Sequence, residues 1–179
     1  MTRHAEVETC KEIPNFTGYV GDTLQEDKFN NKQFDCIVAN PPFSVKYDEK
    51  GLQGDKRFTE CGIMPPQSKA DWAFMLHILS HLKKDGVAVV LEFPGILYRG
   101  AREGKIRKWF VEQNYVDRVV DIPPKQFEDT SIATCIIILR KNRATTSIVF
   151  EDVETSRERE VSLEEIKSND YILSVQTYL

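Results

Sequence analysis

Long apolar runs are missing from this 179-residue chain: none approaches the roughly 20 residues a helix needs to cross a bilayer, and 29% of the residues are charged. Positive charge is not in excess. Lys and Arg number 24 against 28 Asp and Glu, a formal net charge of −4. That balance argues against a domain that grips a phosphate backbone unaided, because such a backbone rewards Lys and Arg. Cysteine is sparse. Cys10, Cys36, Cys61 and Cys135 have no metal-ligand spacing, and no disulfide framework is expected. Cys36 and Cys135 lie in apolar runs and read as small buried hydrophobes. No internal repeat or low-complexity tract is present, and the stretch from Met1 to Glu6 lacks the apolar region of a signal peptide. With 41% hydrophobic residues, the expectation is one cytoplasmic domain with a real core, with neither a membrane segment nor extensive disorder.

What is present is a succession of apolar segments. Residues 34–39 form the first clear strand; an unbroken apolar run predicts burial on both faces, as in a parallel sheet. Tyr19-Val20 could add a short strand before it. Residues 44–67 are polar and irregular, a long loop of the kind that is usually functional or mobile. Ser68 or Lys69 opens a helix with Trp72, Phe74, Met75, Ile78, Leu79 and Leu82 at helical spacing, ended by Gly86 after Lys83-Lys84. Strands are predicted over 87–93, 116–122, 134–140 and 147–152, a basic helix over 101–113 and a short helix over 162–168. This order indicates an α/β sheet, parallel with an antiparallel end. The basic clusters at Lys83-Lys84, from Arg99 to Lys108, and from Arg140 to Arg143 read as helix ends and solvated faces.

The most informative segment is Asn40-Pro41-Pro42-Phe43, directly after the 34–39 strand. In an open α/β sheet, ligands bind beyond the carboxyl ends of the strands. The residue types suit one task, holding a planar, amino-bearing base against a donor. The exocyclic amine of adenine or cytosine is a poor nucleophile, because its lone pair is delocalised into the ring. Acceptors aimed at its two N–H bonds pull the nitrogen toward tetrahedral geometry. Asn40 offers a side-chain carbonyl oxygen, and Pro41 a backbone carbonyl with no competing N–H. Phe43 offers a face for stacking, a contact worth ~1–3 kcal/mol per base. A duplex base would have to be flipped out of the stack to reach such a pocket.

At these residues the chain resembles the adenine-N6 DNA methylases that use S-adenosylmethionine, and more narrowly the modification (M) subunit of type I restriction-modification systems. The resemblance extends from Gly21-Asp22-Thr23-Leu24, through Ser68-Lys69-Ala70-Asp71-Trp72-Ala73-Phe74 and the stretch from Pro94 to Glu103, to Asp121-Ile122-Pro123-Pro124, Phe127 and the segment from Thr130 to Thr134. It implies a Rossmann-like S-adenosylmethionine-dependent methyltransferase sheet. It implies that Asn40 and Pro41 accept from the target amine, with Pro42 and Phe43 completing the catalytic motif. Phe43 and Phe127 would stack on the two faces of a flipped adenine, and Asp22 would accept from the adenine amino group of the cofactor. Expected partners are DNA, a specificity subunit and a restriction subunit.

One departure matters. A methylase of this class needs a glycine-rich loop that lets backbone approach the cofactor, and no two of the nine glycines are spaced Gly-x-Gly. The expectation is therefore a truncated sheet without its first strands and cofactor loop: a poorly patterned segment over 1–20, a partial catalytic domain over 21–153 and an acidic, helical extension over 154–179. Such a half-domain would turn over weakly or not at all alone. It could instead act as a binding module, with a homodimer partner or a complementary amino-terminal half covering its open sheet edge. His77 and His81 stand four apart on a helix but lack a Cys or acidic third ligand in the sequence, so no metal is expected.

Overall fold

The computed structural model describes residues 18–124 and 132–179. Its elements are β1 (Phe34–Ala39), α1 (Lys56–Thr59), α2 (Asp71–His81), β2 (Leu82–Glu92), α3 (Ala101–Glu112), β3 (Val116–Ile122), β4 (Thr134–Arg140), β5 (Ile148–Asp152), β6 (Arg157–Val161) and α4 (Leu163–Ser168), with a 3-10 turn over Pro94–Leu97. The strands form one sheet in the order β1-β2-β4-β3-β5-β6. β1 and β2 are parallel, with α2 as the crossover between them.

The antiparallel strand lies inside the sheet, where the sequence placed it at an end. β4 is inserted between β2 and β3 and runs against both. Its run Cys135-Ile136-Ile137-Ile138-Leu139 is apolar on both sides of the pleat, which suits an interior position. β6 is an addition. Its charged sequence Arg157-Glu158-Arg159-Glu160 gives no apolar signal, yet it pairs with β5 along its whole length. Tyr19-Val20 belongs to no strand.

One face of the sheet carries the core. Ala88, Val90, Ile137, Leu139, Val119 and Phe150 are buried with Trp72, Met75 and Leu79 of α2 and Ile106 and Phe110 of α3. Trp72 and Phe110 meet with ring centroids 5.0 Å apart. The opposite face is only half buried: Val87, Val89, Leu91, Ile136 and Ile138 are all of intermediate exposure. α4 starts with an N-cap, Ser162 Oγ accepting from the Glu165 amide at 3.2 Å.

β1 corrects two expectations. No residue of it is buried, Val38 is 79% exposed, and Cys36 is exposed where a buried thiol was expected. The physical reason is position: β1 is an edge strand, with no neighbour beyond it among the described residues. Gly86 is the third correction. α2 passes straight into β2 at Leu82, so Gly86 lies within the strand and not at a helix end. A Cβ there would stand 3.0 Å from the carbonyl oxygens of both Phe34 and Asp35 and 2.8 Å from Leu82 Cδ1. Glycine is required for the close approach of β1. Gly86→Ala is expected to cost roughly 1–3 kcal/mol by overpacking, read as a lower urea midpoint; an unchanged midpoint would show that β1 can retreat freely.

Candidate active site

The register Ala39 opposite Val90 fixes where β1 ends, and Asn40-Pro41-Pro42 follows at the carboxyl edge of the sheet. These three residues line a cavity of about 320 Å³ together with Thr23, Ile37, Ala39, Phe74 and Ile78. Phe43 is half-buried and is not part of that wall, so the tetrapeptide presents two sides. Among the described residues nothing hydrogen-bonds the Asn40 side-chain amide, which leaves its carbonyl oxygen available. Phe127 falls outside the described residues.

Asp22 is held in a turn. Its Oδ1 accepts from the amides of Leu24 and Gln25 at 3.0 and 3.2 Å, leaving Oδ2 uncommitted. The turn is pinned by Arg57, which the sequence did not single out. This buried guanidinium donates to the carbonyls of Thr23 (2.9 Å) and Leu24 (2.7 Å) and pairs with Asp55 at 2.7 Å. Arg57 thereby draws Thr23 onto the cavity wall beside Asn40 and Pro41. It sits in the one-turn helix α1, inside a stretch that the sequence reads as a polar, irregular loop.

His77 and His81 reach the same cavity. Here the structure supplies what the sequence lacked: Asp27 brings a carboxylate within 4.8 Å of both rings. Hydrogen bonding nevertheless opposes a metal at the His77 Nε2. Arg57 Nη1 lies 3.0 Å from His77 Nδ1, and a guanidinium only donates. Nδ1 must therefore accept, and the proton sits on Nε2. Burial, then the charges of His81 and Arg57, push the His77 imidazolium down to about 4, which keeps the ring neutral. His81 lies between two acceptors, the Lys32 carbonyl at 2.7 Å and Asp27 Oδ2 at 3.0 Å.

The other side of the tetrapeptide meets a charged cluster. Ser44 has φ +50°. Its amide donates to Asp71 Oδ1 at 2.5 Å and its hydroxyl to Oδ2 at 3.2 Å. Arg99 donates to Asp71 (2.6 Å), to Ser44 Oγ (2.9 Å) and to Glu103 (3.2 Å). Arg107 is buried and donates to the Arg99 carbonyl at 2.7 Å. Two of the five basic residues from Arg99 to Lys108, Arg99 and Arg107, thus face inward as scaffold. Near it, Glu92 ends β2 fully buried, with neither carboxylate oxygen bonded. Burial, reinforced by the charge of Asp71, pushes its carboxyl up to about 9, so it is neutral at physiological pH.

The family model described as N-6 DNA Methylase matches residues 11–160. The methylase subunit of the type I restriction enzyme MpnII from Mycoplasma pneumoniae is 46% identical over 124 residues, covering 68% of this chain and 23% of its own length. The methylase subunit of the type I restriction enzyme MjaVII from Methanocaldococcus jannaschii is 30% identical over 204 aligned residues, 90% of this chain and 35% of its own. A type I restriction-modification system methyltransferase subunit from Streptococcus thermophilus superposes with a TM-score of 0.81 at 35% identity, over 88% of this chain and 41% of that one. The chain therefore spans well under half the length of each.

Glu92 yields a pH signature. Its folded value, about 9, lies above the ordinary 4.5, so the folded state keeps a proton that the unfolded state has released. Stability is intact below pH 4.5 and falls as pH rises toward 9. Glu92→Gln removes this slope. The variant is expected to match the parent near pH 4.5 and to exceed it by roughly 2–4 kcal/mol near pH 8, measured by thermal unfolding across that range. A difference that stays flat with pH would mean that Glu92 has a charged partner.

Proposed function

This chain belongs to the N-6 DNA methylase family, and from that premise we propose that it forms the acceptor half of an active site for methyl transfer to adenine N6 in DNA. The observation that carries the reading is the placement of Asn40, Pro41 and Pro42 at the end of a strand, lining one cavity with Thr23 and Phe74. The Asn40 side-chain oxygen and the Pro41 carbonyl accept from the two N–H bonds of the target amine. Phe43 stacks on the flipped base, with Phe127 as its counterpart on the other face. Catalysis rests on positioning and on polarising the amine; no residue here need act as a strong base.

S-adenosylmethionine, when bound, supplies the electrophilic methyl group. The apolar wall of Thr23, Pro42, Phe74 and Ile78 fits the flat purine end of that cofactor, and Asp22 Oδ2 is free to accept from its amino group. The methionine end finds no glycine-rich backbone in this chain, since Gly-x-Gly does not occur. The residues present therefore hold part of the cofactor.

A second reading rests on the edge strand. β1 is unpaired on its outer side among the described residues, and the half-exposed face beside it is apolar through Val87, Val89 and Leu91. That surface suits strands and helices of a complementary amino-terminal methylase portion, with a second copy of this chain as the competing occupant. DNA, a specificity subunit and a restriction subunit are the partners of the assembled enzyme in this proposal, which acts in the cytoplasm. No helix of the described residues is long and apolar enough to cross a membrane.

Calorimetric titration of the isolated chain with S-adenosylmethionine is expected to give weak or undetectable binding; sub-micromolar affinity would overturn the partial-site reading. Labelled methyl transfer to adenine-containing DNA is expected to need an amino-terminal methylase portion supplied in trans. Asn40→Ala should abolish that signal, and undiminished transfer would remove Asn40 from the site.

A further inference from the structure

We propose that Asp71 and Arg99 are positioning residues that set the geometry of Asn40-Pro41-Pro42-Phe43 by gripping the next residue, Ser44. The proposal rests on the reading of the tetrapeptide as the adenine site.

The argument begins with backbone freedom. At one end, Ala39 is fixed by its pairing with Val90. Pro41 and Pro42 each lock φ near −65°. At the other end, Ser44 adopts φ +50°, a left-handed conformation that is strained for a residue with a side chain. Such a conformation persists where the surroundings over-determine it, and here they do. The Asp71 carboxylate is 0% exposed and takes three hydrogen bonds, from the Ser44 amide, the Ser44 hydroxyl and Arg99 Nη1. Arg99 closes the ring by donating from Nη2 to Ser44 Oγ. With both ends held and two φ angles locked, few rotations remain to move the Asn40 amide or the Phe43 ring.

A purely helix-capping role for Asp71 fits less well. It sits in the first turn of α2, but the partners of its carboxylate are Ser44 and Arg99 and not its own helix's amides. The fold also makes room for the clamp. A Cβ on Gly95 would lie 2.6 Å from Arg99 Nε and Nη2, so glycine there admits the guanidinium. The Phe93 ring supports it at 5.4 Å, and Glu103 holds it from the helix side. Lysine could not replace Arg99, because an ammonium on a flexible stem lacks the planar fork that bridges two acceptors.

The test is amide hydrogen exchange and resonance position by NMR on the full chain. Arg99→Lys and Asp71→Asn are expected to speed Ser44 amide exchange at least about tenfold relative to Leu76 and Leu79 of α2. They should also shift the Asn40 side-chain and Phe43 backbone amide resonances. Should Asp71→Asn fail to fold, Gly95→Ala, which displaces the guanidinium, serves as the second variant. Folded variants with wild-type Ser44 exchange and unmoved Asn40 and Phe43 resonances overturn the clamp. A parallel titration, with an amino-terminal methylase portion supplied in trans, follows emission of a single-stranded oligonucleotide carrying 2-aminopurine. Clamp variants should weaken its binding at least about fivefold. A wild-type chain without any response defeats the adenine-site reading, and the exchange result still decides the clamp.

Discussion

The parallel pairing of β1 with β2 is the constraint on which the candidate site depends. β1 contributes no buried residue and has one neighbour among the described strands. Its register nevertheless decides where Asn40 stands, because a slip of one residue would invert every side chain after it. Gly86 permits the close approach of the two backbones, and the α2 crossover sets their direction. On one side Arg57 brings the Asp22 turn to the strand end; on the other Asp71 and Arg99 hold the chain that leaves it. The site is assembled by four segments converging on the last residue of an edge strand.

Buried charge near the site is handled in three ways. Asp71 is paired with the Arg99 guanidinium and accepts from the Ser44 amide and hydroxyl, so that a buried carboxylate has a partner for each oxygen. Arg57 spreads its donors over two carbonyls, Asp55 and a neutral imidazole. Glu92 has no partner and stays protonated instead. Arg99 is thereby left to Asp71 and Glu103 without a third carboxylate competing for it.

How much of this was legible varied with the kind of signal. β4 was plain as a strand because five consecutive apolar residues run from Cys135 to Leu139; its place between β2 and β3 was not, because pairing order leaves no mark on a single strand's sequence. The tetrapeptide was plain because proline and asparagine after an apolar run carry both a turn and a chemistry. β6 was hidden because Arg157-Glu158-Arg159-Glu160 carries no apolar signal: these side chains remain exposed, and the ion pair of Glu158 with Arg118 of β3 is not written in any local pattern. Gly86 was misjudged because a glycine after a helical pattern looks the same whether it caps or admits a neighbour. Cys36 was misjudged because an apolar sequence states a preference for burial, not the presence of a covering layer. Asp71 and Arg99 lay in segments noted for their family likeness, but their meeting with Ser44 spans 27 and 55 residues of sequence. No window of local pattern could join them.

The inserted position of β4 and the distance from β1 to β2 have a temporal side. Among the described strands, β1 is made before any that pairs with it, and the whole of α2 must follow before β2 is complete at Glu92. At the ordinary pace of synthesis that interval is roughly 3–10 s. Throughout it, the apolar ribbon that ends in the candidate site has no partner within this stretch of chain. During synthesis this edge strand is therefore left to chaperones, or to polypeptide made ahead of it, until β2 is complete.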